Sequence, residues 1–143
     1  MLKGINPLLG PDLLHISRAE GHGDEIAIVD GNYPAVTDAR RLVRMDAHGA
    51  VALTDAILPV MLLDHGVPAA FRPEINGDAQ HVEPIMATLA VTISGFEPAV
   101  ALEPLMGEAF YTRVKSAFAL VASGERALYG NVILRKGVIE PEA

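Results

Sequence analysis

The chain has 143 residues, of which 50% are hydrophobic and 20% are charged, and its formal net charge is −7. This apolar fraction can bury a core, which excludes a disordered or low-complexity chain. The acidic balance and the lack of any run of basic residues argue against a nucleic-acid partner, because such proteins bind phosphates through clustered Lys and Arg.

The chain contains no cysteine, which excludes disulfides, zinc–thiolate sites and cysteine nucleophiles. No stretch approaches the roughly 18 apolar residues of a membrane span, and no continuous apolar segment of a signal peptide is present. We therefore expect a cytoplasmic protein with no membrane partner.

The mean hydropathy is nevertheless positive, and such an apolar excess predicts a homo-oligomer that buries part of its surface between subunits.

The first half of the chain alternates short apolar segments with turn residues. A helix is predicted to start near Pro11, which suits a first helical turn, and to end before Gly21. Residues 25–30 form an apolar run bounded by turn residues, which predicts a buried strand. Residues 31–34 give a strong loop signal, and Leu42–Met45 is a second predicted strand.

The middle of the chain gives weaker signals. A helix capped by Thr54 or Asp55 is predicted to run to about residue 63, with Pro59 kinking or delimiting it. Residues 89–93 are predicted as a strand.

The last third returns to clear periodicity. Residues 106–115 are predicted as a helix, and 117–122 either continue it or start a strand. Residues 131–135 are predicted as a final strand, closed by Gly137. The alternation of short strands and helices predicts one α/β domain over residues 1–143, with a central sheet flanked by helices.

The five histidines are the first candidates for acid/base chemistry, because imidazole titrates near neutral pH. No pair has the i, i+4 spacing of a helical metal site, so no metal is expected. His22 stands out because it lies between Gly21 and Gly23, directly before a predicted strand. We interpret the other four as surface or packing residues; they are His15, His48, His65 and His81.

Two carboxylates could tune the His22 imidazole, Asp24 and Glu25. Asp30 ends the following strand, where it could bind a ligand or merely cap the next turn. An extended segment 26–29 separates His22 from Asp30 by well over 10 Å at about 3.3 Å per residue. The two side chains then share a site only if a loop curls back or if two subunits contribute to it.

A second polar cluster lies between the last two apolar segments. Tyr129 and Asn131 offer a hydroxyl, an amide and a flat ring, which are groups that bind neutral polyols. Glu125 and Arg126 could simply pair or solvate a turn. No glycine pattern of a dinucleotide or phosphate loop is present, so no nucleotide cofactor is expected.

The residues that carry a family resemblance run through nearly the whole chain. They are Leu2 to Leu9, Gly21 to Ile26 with Asp30, Pro34-Ala35, Ala109-Phe110-Tyr111, Ala117-Phe118-Ala119, Gly124-Glu125-Arg126 and Tyr129-Gly130-Asn131. As an ordered set they resemble the ribose pyranase/fucose mutarotase (RbsD/FucU) family, and they are most similar to its fucose mutarotase branch.

The resemblance implies a compact α/β domain that assembles into a ring, typically a homodecamer, with sites at subunit interfaces. It also implies an isomerase that interconverts the anomers or ring forms of a free monosaccharide without a cofactor. His22 matches the family's catalytic histidine, Asp30 its sugar-binding aspartate, and Tyr129 and Asn131 its tyrosine and asparagine. Under this reading His22 transfers the proton, assisted by Asp30 and Tyr129, while Asp30, Tyr129 and Asn131 bind the sugar.

One segment departs from the pattern of the resembling mutarotases. They carry an arginine shortly before Ala109, where this chain has Met106-Gly107-Glu108. This difference leaves the identity of the sugar open. It also keeps two alternatives: a non-catalytic sugar-binding or regulatory protein of a sugar uptake or catabolic system, and a scaffold ring whose polar loops close interfaces.

Overall fold

The computed structural model describes residues 1–142. Its helices are α1 (Pro11–Ala19), α2 (Ala35–Asp38), α3 (Ala50–Ile57), α4 (Pro84–Phe96) and α5 (Gly107–Ser116), with a 3-10 turn at Leu58–Val60. Its strands are β1 (Glu25–Val29), β2 (Leu42–Met45), β3 (Ala70–Pro73), β4 (Leu102–Leu105), β5 (Ala119–Ser123) and β6 (Val132–Arg135).

The six strands form one mixed sheet in the order β2-β5-β1-β6-β3-β4. β1 pairs in parallel with β5 and antiparallel with β6, and β5 pairs in parallel with β2. All residues of β1 and β5 are buried, as expected for central strands covered on both faces. The carboxyl ends of β1, β2 and β5 therefore meet the beginning of β6 at one edge of the sheet.

Helices cover both faces of this sheet. Leu13 of α1, Leu53 of α3 and Leu89 of α4 belong to the core on one face. Phe110 and Val114 of α5 pack on the other face, together with α2. This architecture confirms the α/β fold with a central sheet flanked by helices.

Several predicted elements are confirmed. The helix starting at Pro11, the strand beginning at residue 25, the strand Leu42–Met45 and the last strand all form. Of the two alternatives for residues 117–122, the strand is correct, since β5 begins at Ala119.

The strand predicted at residues 89–93 is wrong, because these residues lie inside α4. Met86, Leu89 and Ile93 are fully buried, and their spacing of three and four residues places them on one helical face. Strands β3 and β4 were missed. Both are short and contain a proline, Pro73 and Pro104, which weakens a strand signal.

The predicted start of α3 is also wrong. The helix begins at Ala50 rather than at Thr54 or Asp55, and the Thr54 hydroxyl donates to the Ala50 carbonyl oxygen inside the helix. Glu125 supplies the cap, since its Oε2 accepts a hydrogen bond from the Ala50 backbone N–H. Pro59 lies in the 3-10 turn that ends this helix, as predicted. Among residues 1–142, no helix is both long and apolar enough to cross a membrane.

Candidate functional site

A pocket of about 560 Å³ opens at the edge where β1 ends and β6 begins. Its walls come from the loop after β1, from α2, from α5 and from the loop before β6. Open α/β sheets commonly bind ligands beyond the carboxyl ends of their strands. The polar and aromatic side chains that line it include Asp30, Tyr33, Asp38, Tyr111, Tyr129 and Asn131.

Asp30 and Asn131 hold each other in place across β1 and β6. The Asp30 backbone N–H donates to Asn131 Oδ1 at 2.8 Å, and Asn131 Nδ2 donates to Asp30 Oδ2 at 3.0 Å. Asp30 Oδ1 accepts the backbone N–H of Asn32 at 2.9 Å. Asp30 thus caps the next turn, as one of the two sequence interpretations expected, and it also lines the pocket.

Tyr129 enters the pocket from a tightly folded loop. Its φ is 62°, in the left-handed region that favours glycine. Glu125 builds this loop, because its Oε1 accepts the backbone N–H groups of Arg126 and Ala127 while its Oε2 caps α3. A strained backbone at a pocket wall is typical of functional positions.

Two further tyrosines form an aromatic wall that the sequence analysis did not assign. The rings of Tyr33 and Tyr111 lie 6.0 Å apart, and the Tyr33 hydroxyl donates to Asp38 Oδ2 at 2.7 Å. Burial, followed by the hydrogen bond to Asp38, raises the pKa of Tyr33 above its ordinary value. Burial, followed by the nearby Asp30 carboxylate, raises the pKa of Tyr111. Both hydroxyls therefore stay protonated and can donate at neutral pH.

The sequence held signals for both tyrosines. Tyr33 lies in the loop directly after the strand that ends in Asp30, and Tyr111 lies in the Ala109-Phe110-Tyr111 segment of the resemblance. In the structure, Tyr111 is 39% exposed, whereas the adjacent Phe110 is fully buried.

His22 lies at the other end of β1, away from this pocket. Its side chain is 56% exposed, and its Nε2 lies 3.3 Å from Asp64 Oδ2. The structure therefore brings Asp30, Tyr129 and Asn131 together within one chain but leaves His22 apart, as the length of the extended strand indicated. The loop does not curl back.

Asp64 is the carboxylate that contacts His22. Its Oδ2 accepts a hydrogen bond from Arg135 Nε at 3.0 Å, and its Oδ1 accepts one from the His65 backbone N–H at 2.9 Å. The Arg135 hydrogen bond holds the pKa of Asp64 below its ordinary value. An ionised carboxylate only accepts hydrogen bonds, so this contact favours the neutral His22 tautomer with its proton on Nε2. Nδ1, which has no hydrogen-bond partner among residues 1–142, is then the acceptor.

Asp24 and Glu25, expected as possible partners of His22, have other partners. Asp24 Oδ2 accepts the Gly21 backbone N–H at 2.7 Å, which closes the loop around His22. Glu25 accepts hydrogen bonds from Arg113 Nε at 2.9 and 3.0 Å. Within residues 1–142, no three or more His, Cys, Asp or Glu side chains are grouped so that they could hold a metal ion.

A comparison with models of protein families shows the family to which this chain belongs. The model of the RbsD / FucU transport protein family matches residues 3–139. The chain belongs to this family. It is 41% identical over 143 residues to the L-fucose mutarotase of Glaesserella parasuis, a match that covers 96% of each chain.

Two solved structures extend this similarity to three dimensions. The fucose mutarotase of Streptococcus pneumoniae, in complex with L-fucose, has a TM-score of 0.88 and 38% identity, covering 97% of this chain and 100% of the other. FucU from Bifidobacterium longum has a TM-score of 0.89 and 40% identity, covering 96% and 100%. Fold and sequence thus agree over almost the full length.

Proposed function

We propose that this RbsD/FucU protein is a cofactor-independent mutarotase that interconverts the anomers of a free aldose, L-fucose or a closely related sugar. The observation that carries the proposal is the pocket at Asp30, Tyr129 and Asn131, in a chain about 40% identical to L-fucose mutarotases over nearly its full length. We also propose that it acts in the cytoplasm.

The chemistry needs one proton removed from the anomeric hydroxyl and one delivered to the ring oxygen. His22 Nδ1 accepts the anomeric proton, and the C1–O5 bond breaks as the carbonyl of the open-chain aldehyde forms. The ring oxygen takes a proton from the Tyr129 hydroxyl, which the protonated imidazole of His22 then reprotonates. Rotation about the C1–C2 bond presents the other carbonyl face, and the reverse steps close the ring. General acid/base catalysis of this kind requires a group that titrates near the working pH, as imidazole does.

The remaining residues bind and orient the sugar. Asp30, held by Asn131, accepts a hydrogen bond from a sugar hydroxyl and assists as the second acid/base. Asn131 contributes to the polyol edge, and Tyr129 offers both a ring face for stacking and a hydroxyl for proton relay. The three residues line one cavity, which supports a shared role.

His22 joins this site from a neighbouring subunit. Its exposed imidazole, the distance between the two ends of β1 and the apolar composition support a ring, which we propose to be a homodecamer, with one complete site at each contact between subunits. In this arrangement each subunit supplies the pocket to one site and the histidine to another.

The second candidate is a protein that binds a sugar without turnover. The segment Met106-Gly107-Glu108 favours it, because this segment, where Gly107 starts α5 one turn before Tyr111, lacks the arginine of the resembling mutarotases and leaves Lys115 as the cationic side chain that α5 brings to the pocket. Pocket binding with an unchanged rate of anomer exchange would select this function.

The test is saturation-transfer NMR between the two anomers of L-fucose, with His22→Ala compared to wild type. We expect the wild type to exceed the uncatalysed exchange, and His22→Ala to lose at least about a hundredfold of that excess. The control is His15→Ala, since His15 is exposed on α1 and should behave as wild type. Unchanged exchange in His22→Ala would contradict the role of His22.

A further inference from the structure

Proton transfer at the anomeric hydroxyl and at O5 makes no use of one polar pair in the pocket. The Tyr33 hydroxyl and the Asp38 carboxylate are joined by a 2.7 Å hydrogen bond, and both residues line the cavity that holds Asp30. Neither residue touches Asp30 or Asn131 through a side-chain hydrogen bond among residues 1–142. The pair is a second polar centre in the same pocket.

The fold sets this pair across the pocket from Asn131. Asn131 precedes β6 on one side of β1, whereas Asp38 ends α2, which packs against β5 on the other side. Neighbouring strands lie about 4.8 Å apart, so β6 and β5 are separated by roughly two such spacings. A single sugar ring can therefore contact Asp30 and Asn131 at one end and Asp38 at the other.

The second centre is an acceptor suited to a hydroxyl. Asp38 Oδ2 accepts from Tyr33, while its Oδ1 accepts no hydrogen bond from any residue in 1–142. Tyr33 is itself held against the Tyr111 ring at 6.0 Å, and its raised pKa keeps it a donor. The free oxygen of an oriented, half-buried carboxylate forms strong hydrogen bonds to hydroxyl donors.

A methyl group at this position would be unfavourable. It would displace water from Asp38 Oδ1 without replacing the lost hydrogen bond, and leaving a desolvated acceptor unpaired costs free energy. A site built to hydrogen-bond a substrate hydroxyl rejects the analogue that lacks it. The chemistry of this wall thus favours a hydroxymethyl group over a methyl group on the part of the ring that faces Asp38.

We propose that Asp38, oriented by Tyr33, binds the C6 hydroxyl of an aldohexose and is a specificity-determining residue of this pocket. The proposal rests on the proposed mutarotase function and specifies its substrate class: hexoses with a free C6 hydroxyl are accepted at least as well as their 6-deoxy counterparts. Tyr33 acts as a positioning residue, since it contacts the carboxylate rather than the sugar.

The matched substrates are L-galactose and L-fucose, which differ only in the C6 hydroxyl. Anomer exchange is measured by NMR for both sugars over a range of concentrations, which gives kcat/KM for each. We expect the wild type to exchange L-galactose with a kcat/KM equal to or greater than that for L-fucose. In Asp38→Ala the ratio of the two values should fall about tenfold, chiefly through KM for L-galactose.

Two further variants separate recognition from folding. Tyr33→Phe keeps the ring but removes the hydrogen bond, and it should lower the same ratio by a smaller factor of about three. Asp55→Asn is the matched control, because Asp55 is exposed on α3, on the opposite face of the sheet, and it should leave the ratio unchanged.

The possible outcomes distinguish a failure of the Asp38 subsite from a failure of the proposed mutarotase function. If neither sugar exchanges faster than without protein, the mutarotase function is wrong. If L-fucose is exchanged more efficiently than L-galactose, or if Asp38→Ala changes both sugars by the same factor, the function stands and the Asp38 subsite is wrong.

Discussion

Replacing Glu20 by Gln is expected to stabilise the protein increasingly as the pH rises from 5 to 8. Glu20 follows α1, and its side chain has no exposed area. Neither carboxylate oxygen has a hydrogen-bond partner among residues 1–142. The nearest cation is Lys136, whose Nζ lies 3.9 Å from Oε1 and donates instead to the carbonyl oxygens of Ser17 and Glu20.

Burial raises the pKa of Glu20 from 4.5 to about 7, an effect that Lys136 opposes and does not cancel. Because the pKa is higher in the folded state, folding takes up a proton between these two values. The stability that the protonated carboxyl contributes is complete below pH 4.5 and is lost as the pH rises through 7. At 1.36 kcal/mol per pH unit, the loss amounts to about 2–3 kcal/mol between pH 5 and pH 8.

The assay is urea unfolding of wild type and Glu20→Gln at one protein concentration from pH 5 to pH 8, because a constant concentration keeps any contribution from subunit association comparable. Gln resembles the neutral carboxyl and does not titrate, so the difference in unfolding free energy should grow with pH. Glu140→Gln is the control, since Glu140 is exposed. Parallel pH curves for wild type and Glu20→Gln would refute the reasoning.

Three other predictions concern the site and the loops that build it. Asp64→Asn should raise the population of the Nδ1–H tautomer of His22, measured from imidazole ¹⁵N shifts, and slow anomer exchange at least about tenfold; an unchanged tautomer would contradict the role of Asp64. Gly124→Ala should destabilise by about 3 kcal/mol or more, because a Cβ would overlap the Asp46 carbonyl oxygen. Gly95→Ala, with open space around it, should change thermal stability by less than about 1 kcal/mol. In urea unfolding, Tyr129→Gly should have a free energy of unfolding about 1 kcal/mol higher than Tyr129→Ala, since only Gly relieves the left-handed backbone; equal stability would argue against strain there.

The sequence predicted the elements whose own pattern is strong. The apolar run of β1, the helical spacing of Phe110 and Val114, and the turn residues after Asp30 each specify local structure without help. Strands β3 and β4, at one end of the sheet, carry prolines and depend on pairing with neighbours, so their sequences did not reveal them.

The site was predictable to the same extent. Asp30 and Asn131 follow or precede apolar strands, which marked them as candidates, and both line the pocket. Asp64 was not assigned, because its contact with His22 joins residues 42 positions apart, a separation at which local patterns carry no information. The cap that Glu125 places on α3 was missed for the same reason, since 75 residues separate it from Ala50.

The most direct test of a catalytic site shared between subunits is the recovery of anomer exchange by two inactive variants. His22→Ala and Asp30→Asn subunits are each expected to be inactive alone, because one lacks the proton acceptor and the other the carboxylate of the pocket. When the two are refolded together in equal amounts, about a quarter of the interfaces should combine an intact histidine with an intact pocket. We predict exchange of L-fucose anomers at about a quarter of the wild-type rate, and no recovery in the mixture would contradict the shared site.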